Sequence, residues 1–240
     1  MQRVKGLFIG LFVTALSLPV LPDLVQAQSD VPLPPIGGGG TRFTCSSINT
    51  ISSKLGSAQP LIVTGKCVEP ASLSIADTRT NITILGKGSG VCGDGRNTII
   101  TVVESLASPP QPLGSASSII GVRGKNITIS GVEIVGLSNN PNVDNRRGIF
   151  VQRGGTLQVG RNVTNTTNPT IYDEQSGVCI RNVGKNGIEA SQGSVVRVVN
   201  TEITNVGGDA ISASEFADIN VGFTSGGEFG LTSDAFPGPA

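Results

Sequence analysis

The sequence predicts an all-β protein of the solenoid type, a parallel β-helix whose short strands stack on copies of themselves. Three observations predict this fold. Glycine accounts for 33 of the 240 residues and aromatic residues for only 4%, a composition typical of many short strands and tight turns. Apolar residues alternate over short runs that end in Gly or Asn, as in Ile127-Thr-Ile129. The third observation is an internal repeat.

The repeat is clearest in the last third of the chain. Val178–Ala190 recurs as Thr201–Ala213, displaced by 23 positions. Strands this short cannot form regular hairpins at that period. They can, however, pair with the coils above and below while Ile and Val point inward. Between Leu61 and Gly222 this period, together with the insertions described below, predicts five or six coils. Asparagines at the turns are expected to stack structurally from coil to coil. The candidates for this ladder are Asn81, Asn126, Asn182 and Asn205.

Residues 1–27 have the form of an export signal. Arg3 and Lys5 precede the apolar run Gly6–Val20, and Val25-Gln-Ala27 precedes a plausible cleavage point. A permanent membrane anchor is the alternative, but the run is short for a membrane span, and Pro19, Pro22 and Asp23 argue against it. We therefore expect a secreted, periplasmic or cell-surface protein that has no membrane contact after cleavage.

The rest of the chain divides by composition. A Pro- and Gly-rich linker is expected at 28–40, an N-terminal cap at 41–60, the β-helix at 61–222, and a Gly- and Pro-rich tail at 223–240. The chain carries 17 basic and 17 acidic residues. It therefore lacks the basic field that nucleic acid or anionic lipid would require.

All four cysteines follow the export signal, so they reach a compartment where disulfides persist. Four cysteines allow three pairings. We expect Cys45 to pair with Cys67, because that bond ties the first folded turn to the first strand, and this leaves Cys92 with Cys179. Free buried thiols remain the alternative for the second pair. The spacings do not match a zinc site and the chain has no His, so no metal site is expected.

These motifs resemble the bacterial right-handed parallel β-helix proteins, which are related in fold to the pectate lyases. The resemblance runs from Thr44–Ile48 through Leu61–Glu69, Asn81–Gly86 and Asn126–Ile134 to the two closing coils. It implies a right-handed solenoid, and it specifies fold better than function because many activities share this scaffold.

The resemblance also implies a short capping helix over the first coil, at Ser46–Leu55. Ile48, Ile51 and Leu55 have the spacing of one apolar face, and Ser46 or Ser47 would be the N-cap.

Three insertions interrupt the coils, at Glu104–Ser117, Leu137–Arg147 and Arg161–Ser176. Loops on one side of a solenoid often form the walls of its binding face, although plain solvated loops are the alternative. We expect any ligand to be a polysaccharide lying across one parallel sheet beside the second and third insertions. Arginines would meet sugar carboxylates there, and acidic residues could instead hold calcium. The candidate ligand-binding residues are Asp144, Arg146, Arg147, Arg153, Tyr172, Asp173 and Glu174.

No catalytic constellation is evident. A pectate-lyase-like site needs several carboxylates around calcium and a basic residue, and the adjacent Asp173 and Glu174 would point to opposite faces of a strand. Gly208–Ser212 is faintly similar to part of the polygalacturonase motif, but Ala210 replaces its second acidic residue. A non-catalytic exported scaffold or polysaccharide-contacting surface protein is therefore favoured. The alternatives are a small polysaccharide lyase, for which calcium would be the cofactor, and a fragment of a longer β-helix protein.

Overall fold

Short apolar runs punctuated by Gly and Asn form short strands in the computed structural model. The structure describes residues 40–88, 91–102, 117–136, 146–161 and 177–222. All of them belong to one compact unit, Ile36–Ala240. The predicted export signal, nearly all of the predicted linker and the predicted tail at 223–240 lie outside the described residues.

The described residues contain many strands and one helix, α1, at Ile51–Lys54. The strands are β1 Thr41–Thr44, β2 Leu61–Thr64, β3 Lys66–Glu69, β4 Leu73–Ile75, β5 Thr83–Leu85, β6 Thr98–Val102, β7 Ser118–Val122, β8 Ile127–Ser130, β9 Val132–Val135, β10 Arg147–Val151, β11 Thr156–Val159, β12 Val178–Val183, β13 Ile188–Ala190, β14 Val195–Val198, β15 Thr201–Val206, β16 Ile211–Ala213 and β17 Asp218–Val221.

From β2 onward the strands enter three sheets in strict rotation. Sheet A has the order β1-β2-β5-β8-β11-β14-β17, sheet B the order β3-β6-β9-β12-β15, and sheet C the order β4-β7-β10-β13-β16. Every pairing is parallel. The described residues therefore form an all-β parallel solenoid of five complete coils, with β1 before them and β17 after them. This confirms the predicted parallel fold and the predicted number of coils.

The 23-residue repeat is one coil of this solenoid. Ile180 pairs with Ile203, and Val196 pairs with Ile219. Because side chains alternate along a strand, every second residue points into the solenoid. Stacked aliphatic side chains from successive coils therefore fill the core. One such column on sheet C contains the fully buried Leu73, Ile120, Ile149 and Ile188.

The predicted asparagine stacking is present as two pairs. Asn126 Nδ2 donates to Asn81 Oδ1 at 2.7 Å, and Asn205 Nδ2 donates to Asn182 Oδ1 at 2.5 Å. All four residues have positive φ, between 48° and 60°, a region that Asn tolerates better than most residues. These asparagines shape the corners of the solenoid.

The N-terminal helix is shorter than the sequence predicted, and the predicted N-cap was wrong. Ser46 and Asn49 form a turn of their own, which leaves Ile48 81% exposed. The N-cap is Thr50, whose Oγ1 accepts from Ser53 N at 3.2 Å.

A buried carboxylate fixes the start of this helix. Glu69 accepts from the backbone N–H groups of Ile51, at 2.7 Å, and Ser52, at 3.2 Å. A carboxylate is favourable at a helix N-terminus because the free N–H groups and the helix dipole attract negative charge. Glu69 lies on β3, so this contact attaches α1 to the first coil.

Both expected disulfides are formed. Cys45 pairs with Cys67 across a Cα–Cα distance of 5.0 Å, and Cys92 pairs with Cys179 across 5.1 Å. No cysteine remains free, which removes the alternative of buried thiols. Two disulfides fit an oxidising compartment. Within the described ranges, no helix is long and apolar enough to cross a lipid bilayer.

Candidate functional site

Only three of the seven predicted ligand-binding residues lie in the part of the chain that the structure describes. Asp144, Tyr172, Asp173 and Glu174 fall outside it. The three that can be placed are arginines, and their positions differ from one another.

Arg146 and Arg147 do not lie in a protruding loop as predicted. Arg147 is the first residue of β10: it pairs in register with Ser118, and its backbone N–H donates to Ser117 O at 3.0 Å. Arg146 is only 1% exposed. The sequence placed both in an insertion because polar residues surround them, but the sheet extends to Arg147 and the fold encloses Arg146. Because its side chain is buried, Arg146 is not accessible to a ligand on the surface.

Arg153 is exposed, but it lies at the far end of β10 from Arg147. It occupies the turn between β10 and β11 with a φ of 55°. The four-residue step from Arg147 to Val151 already spans about 13 Å in extended backbone. The two arginines therefore lie at opposite ends of β10.

In sequence, the second insertion connects sheet B to sheet C and the third connects sheet A to sheet B. Residues 137–145 follow β9 and residues 162–176 precede β12, and both strands are in sheet B. Sheet C adjoins only the second of these insertions, because residues 137–145 lead into β10 while residues 162–176 border no strand of sheet C. Sheet B is therefore the sheet whose strands adjoin, in sequence, both insertions that were predicted to border the binding face.

Part of the outer face of sheet B is covered by the chain itself. Cys92 is bonded to Cys179 on β12, and its backbone N–H donates to Glu202 Oε2 at 2.8 Å. Asn97 Nδ2 donates to Glu133 Oε2 at 3.0 Å, while Arg181 pairs with the other oxygen of Glu133. Glu133 is only 2% exposed. These contacts hold residues 91–97 against sheet B. A polymer cannot reach the part of the sheet that this segment covers.

Sheet A also has buried groups on its outer side. Leu85 and Ser130 pair in register and alternate with the inward-facing Ile84 and Ile129, yet both are buried. The central outward column of sheet A, which is Thr83, Thr128, Gln158, Arg197 and Asn220, is buried only at Thr128, and the central outward column of sheet C is partly or fully exposed throughout. Running across five strands, that column consists of Ser74, Gly121, Phe150, Glu189 and Ser212.

A polar and aromatic cluster lies at the middle of this face. The Arg147 guanidinium lies 4.6 Å from the ring centroid of Phe150, and its Nε donates to Glu189 Oε2 at 2.6 Å. Asn186 Nδ2 donates to the same Glu189 oxygen at 2.8 Å, and Asn186 Oδ1 accepts from Asp209 N at 2.9 Å. We call Arg147, Phe150, Asn186 and Glu189 the sheet C cluster.

The sheet C cluster can bind by hydrogen bonding and stacking. Phe150 and Glu189 hold the Arg147 guanidinium, so its planar donors are preorganised. The side chains of Arg147 and Glu189 are 19% and 16% exposed, so each still reaches solvent. Their opposite charges cancel, which leaves a surface of fixed donors and acceptors with little net charge.

The described residues offer no evident metal site. Among them there is no group of three or more His, Cys, Asp or Glu side chains able to hold a metal ion. Asp209 precedes β16 of sheet C and Asp218 begins β17 of sheet A, so these two carboxylates belong to different faces.

Three members of the sheet C cluster were missed at the sequence level. The available signal was strand alternation: with Ile149 and Val151 inward, Phe150 must point outward. The 23-residue repeat relates Glu189 to Ser212, whereas only the register of β10 and β13 places Glu189 beside Phe150.

Comparison of the chain with protein-family models finds no match, and comparisons with curated proteins and with solved structures find no similar protein.

Proposed function

We propose that the protein is an exported, non-catalytic surface protein whose sheet C outer face contacts a polysaccharide. The observation that carries this proposal is the sheet C cluster, which combines an aromatic ring with oriented hydrogen-bonding groups on an open, regular face. An aromatic ring beside polar side chains suits polysaccharide binding, since sugar rings offer C–H groups to an aromatic ring and hydroxyls to polar side chains.

The shape of the face supports an extended polymer. Five strands give four spacings, so the outward column runs for about 19 Å along the solenoid axis. Small residues, Ser74 and Gly121 on one side and Ser212 on the other, flank Phe150 and Glu189. A chain following the axis would therefore meet few obstructions.

The paired charges favour a neutral polysaccharide over an acidic one. The sequence suggested that arginines would bind sugar carboxylates, but Arg147 is already paired with Glu189. An acidic sugar would have to compete with Glu189 and would also meet Asp209, which is exposed nearby. Neutral hydroxyls could accept from the guanidinium and donate to the carboxylate without breaking the pair.

The remaining features of the proposal rest on general rules and on the disulfides. Parallel crossover connections within one sheet are almost always right-handed, which supports a right-handed β-helix of the pectate-lyase-like type. The two disulfides support export, with residues 1–27 as its signal. The attachment of α1 to β3 through Glu69 supports a capping role for that helix.

The proposal is tested by measuring binding to a panel of neutral and acidic polysaccharides. Phe150→Ala should raise Kd for a neutral glycan about fivefold, because stacking of this kind contributes about 1 kcal/mol. Arg147→Ala should weaken binding by a similar factor. Arg153→Ala is the matched control, since it removes the same charge at the other end of β10, and it should bind like the wild type.

Two results would reject the proposal: a wild-type protein that binds no glycan in the panel, or Phe150→Ala and Arg147→Ala variants that bind as well as the wild type. Far-ultraviolet circular dichroism should show unchanged strand content in all three variants, because each side chain points away from the core.

A further inference from the structure

We propose that copies of this chain stack head to tail, with the last described coil of one copy against the N-terminal layer of the next. The N-terminal layer is defined as residues 40–66, which include β1, α1 and β2. The last coil is defined as residues 200–222. This inference is independent of the proposed glycan binding, since it uses the ends of the solenoid and not its sheet C face.

Among the described residues, the core is least covered at the last coil. Ile188 and Val196 in the preceding coil are fully buried, but their partners in register, Ile211 and Ile219, are partly exposed. Ala213, the partner of the buried Ala190, is exposed. The edges of β15, β16 and β17 are also unpaired within the described sheets. Open strand edges beside apolar side chains are a surface for pairing with another chain.

A strained aromatic residue marks the same coil. The corner between sheets C and A has two consecutive residues of positive φ in three successive coils. The second residue is Gly154 in one coil and Gly193 in the next, but it is Phe216 in the last coil, with a φ of 62°. Phe216 is 102% exposed. An aromatic residue at this position is unfavourable for two reasons: its backbone is strained by the positive φ, and its apolar ring is exposed to water. Such an outlier indicates a functional role for the side chain.

The charges of the two ends are complementary. Residues 200–222 contain the acidic Glu202, Asp209, Glu215 and Asp218 and no basic residue. Residues 40–66 contain the basic Arg42, Lys54 and Lys66 and no acidic residue. Two copies meeting through their last coils would place acidic groups against acidic groups. A last coil meeting an N-terminal layer places opposite charges together.

The strand directions agree with the same arrangement. β1 and β17 are the two edge strands of sheet A. In a head-to-tail stack, β17 of one copy meets β1 of the next in the parallel orientation found in every pair within the chain. The exposed Ile48 in the N-terminal layer offers apolar surface to the coil below. Such a contact is heterologous, so it propagates into linear chains and does not close into a dimer.

Sedimentation velocity of the purified, oxidised protein over a range of concentrations tests this inference. We expect species larger than a dimer to grow with concentration and to dissociate at high salt. Phe216→Gly should abolish the association, and it should raise the thermal midpoint of the monomer because Gly suits the turn. Gly193→Ala is the matched control, since it alters the equivalent turn one coil earlier, and its association should match that of the wild type.

A charge exchange identifies the two surfaces. Glu215→Lys with Asp218→Lys should prevent self-association, and so should Arg42→Glu with Lys66→Glu. Mixing the two double variants should restore association, because the reversed last coil then meets a reversed N-terminal layer. A wild-type protein that stays monomeric would overturn the proposal. So would dimers that go no further, association unaffected by Phe216→Gly, or association that appears only after residues 223–240 are removed.

Discussion

Replacing Cys92 and Cys179 together with Ser should lower the free energy of unfolding by about 4.6 kcal/mol, according to the chain-entropy description of disulfides. The bond joins residues 87 positions apart, so it removes a large amount of freedom from the unfolded chain. It also holds residues 91–97 on sheet B, where the Cys92 N–H and Asn97 contact Glu202 and Glu133. Loss of the bond leaves these contacts to retain the segment alone.

Denaturant unfolding followed by circular dichroism measures this effect. The matched comparison is the Cys45→Ser, Cys67→Ser variant, whose bond spans only 22 positions and should contribute about 3 kcal/mol. We expect the variant that lacks the Cys92–Cys179 bond to be the less stable of the two. The reverse order would show that residues 91–97 contribute little to holding the coils together.

Gly160→Ala should destabilise the protein by about 3 kcal/mol or more, through steric overlap between coils. Gly160 has a φ of 75°, and a Cβ at this position would overlap the backbone carbonyl of Val199 in the next coil. The neighbouring residues Val159 and Val198 are paired in register, so the coils cannot separate locally without breaking sheet A.

Gly193→Ala supplies the control for backbone strain alone. Gly193 also has positive φ, 67°, but an added Cβ meets no atom within 4 Å. Its substitution should cost only about 1 kcal/mol. The difference between the two unfolding free energies isolates the contact between coils, and equal losses would contradict the described stacking.

The solenoid could be predicted because its determinants are local and repeated. Ile180 and Ile203 reveal the period by identity, and Asn182 and Asn205 mark the same corner in consecutive coils. A sequence that repeats a strand, a turn and an inward aliphatic residue specifies which residues stack. The start of α1 was harder to predict from the sequence, because Thr50 and the distant Glu69 determine where the helix begins.

The candidate site was harder to predict because it depends on which outer face stays open. Arg146 and Arg147 are neighbours in sequence, yet one is enclosed and the other begins a strand. The covering of sheet B by residues 91–97 follows from a disulfide between distant positions, and periodicity carries no information about it. Phe150 and Glu189 come together only through the register of β10 and β13.

Hydroxyl-radical footprinting with and without a bound neutral glycan tests the central claim most directly. Phe150 points outward on sheet C, and aromatic rings react readily with hydroxyl radicals, so a bound polymer should protect it. Phe216 is fully exposed at the last coil and is the internal reference at protein concentrations too low for association. We predict protection of Phe150 with unchanged labelling of Phe216. Equal labelling of Phe150 with and without saturating glycan would contradict the assignment of sheet C as the binding face.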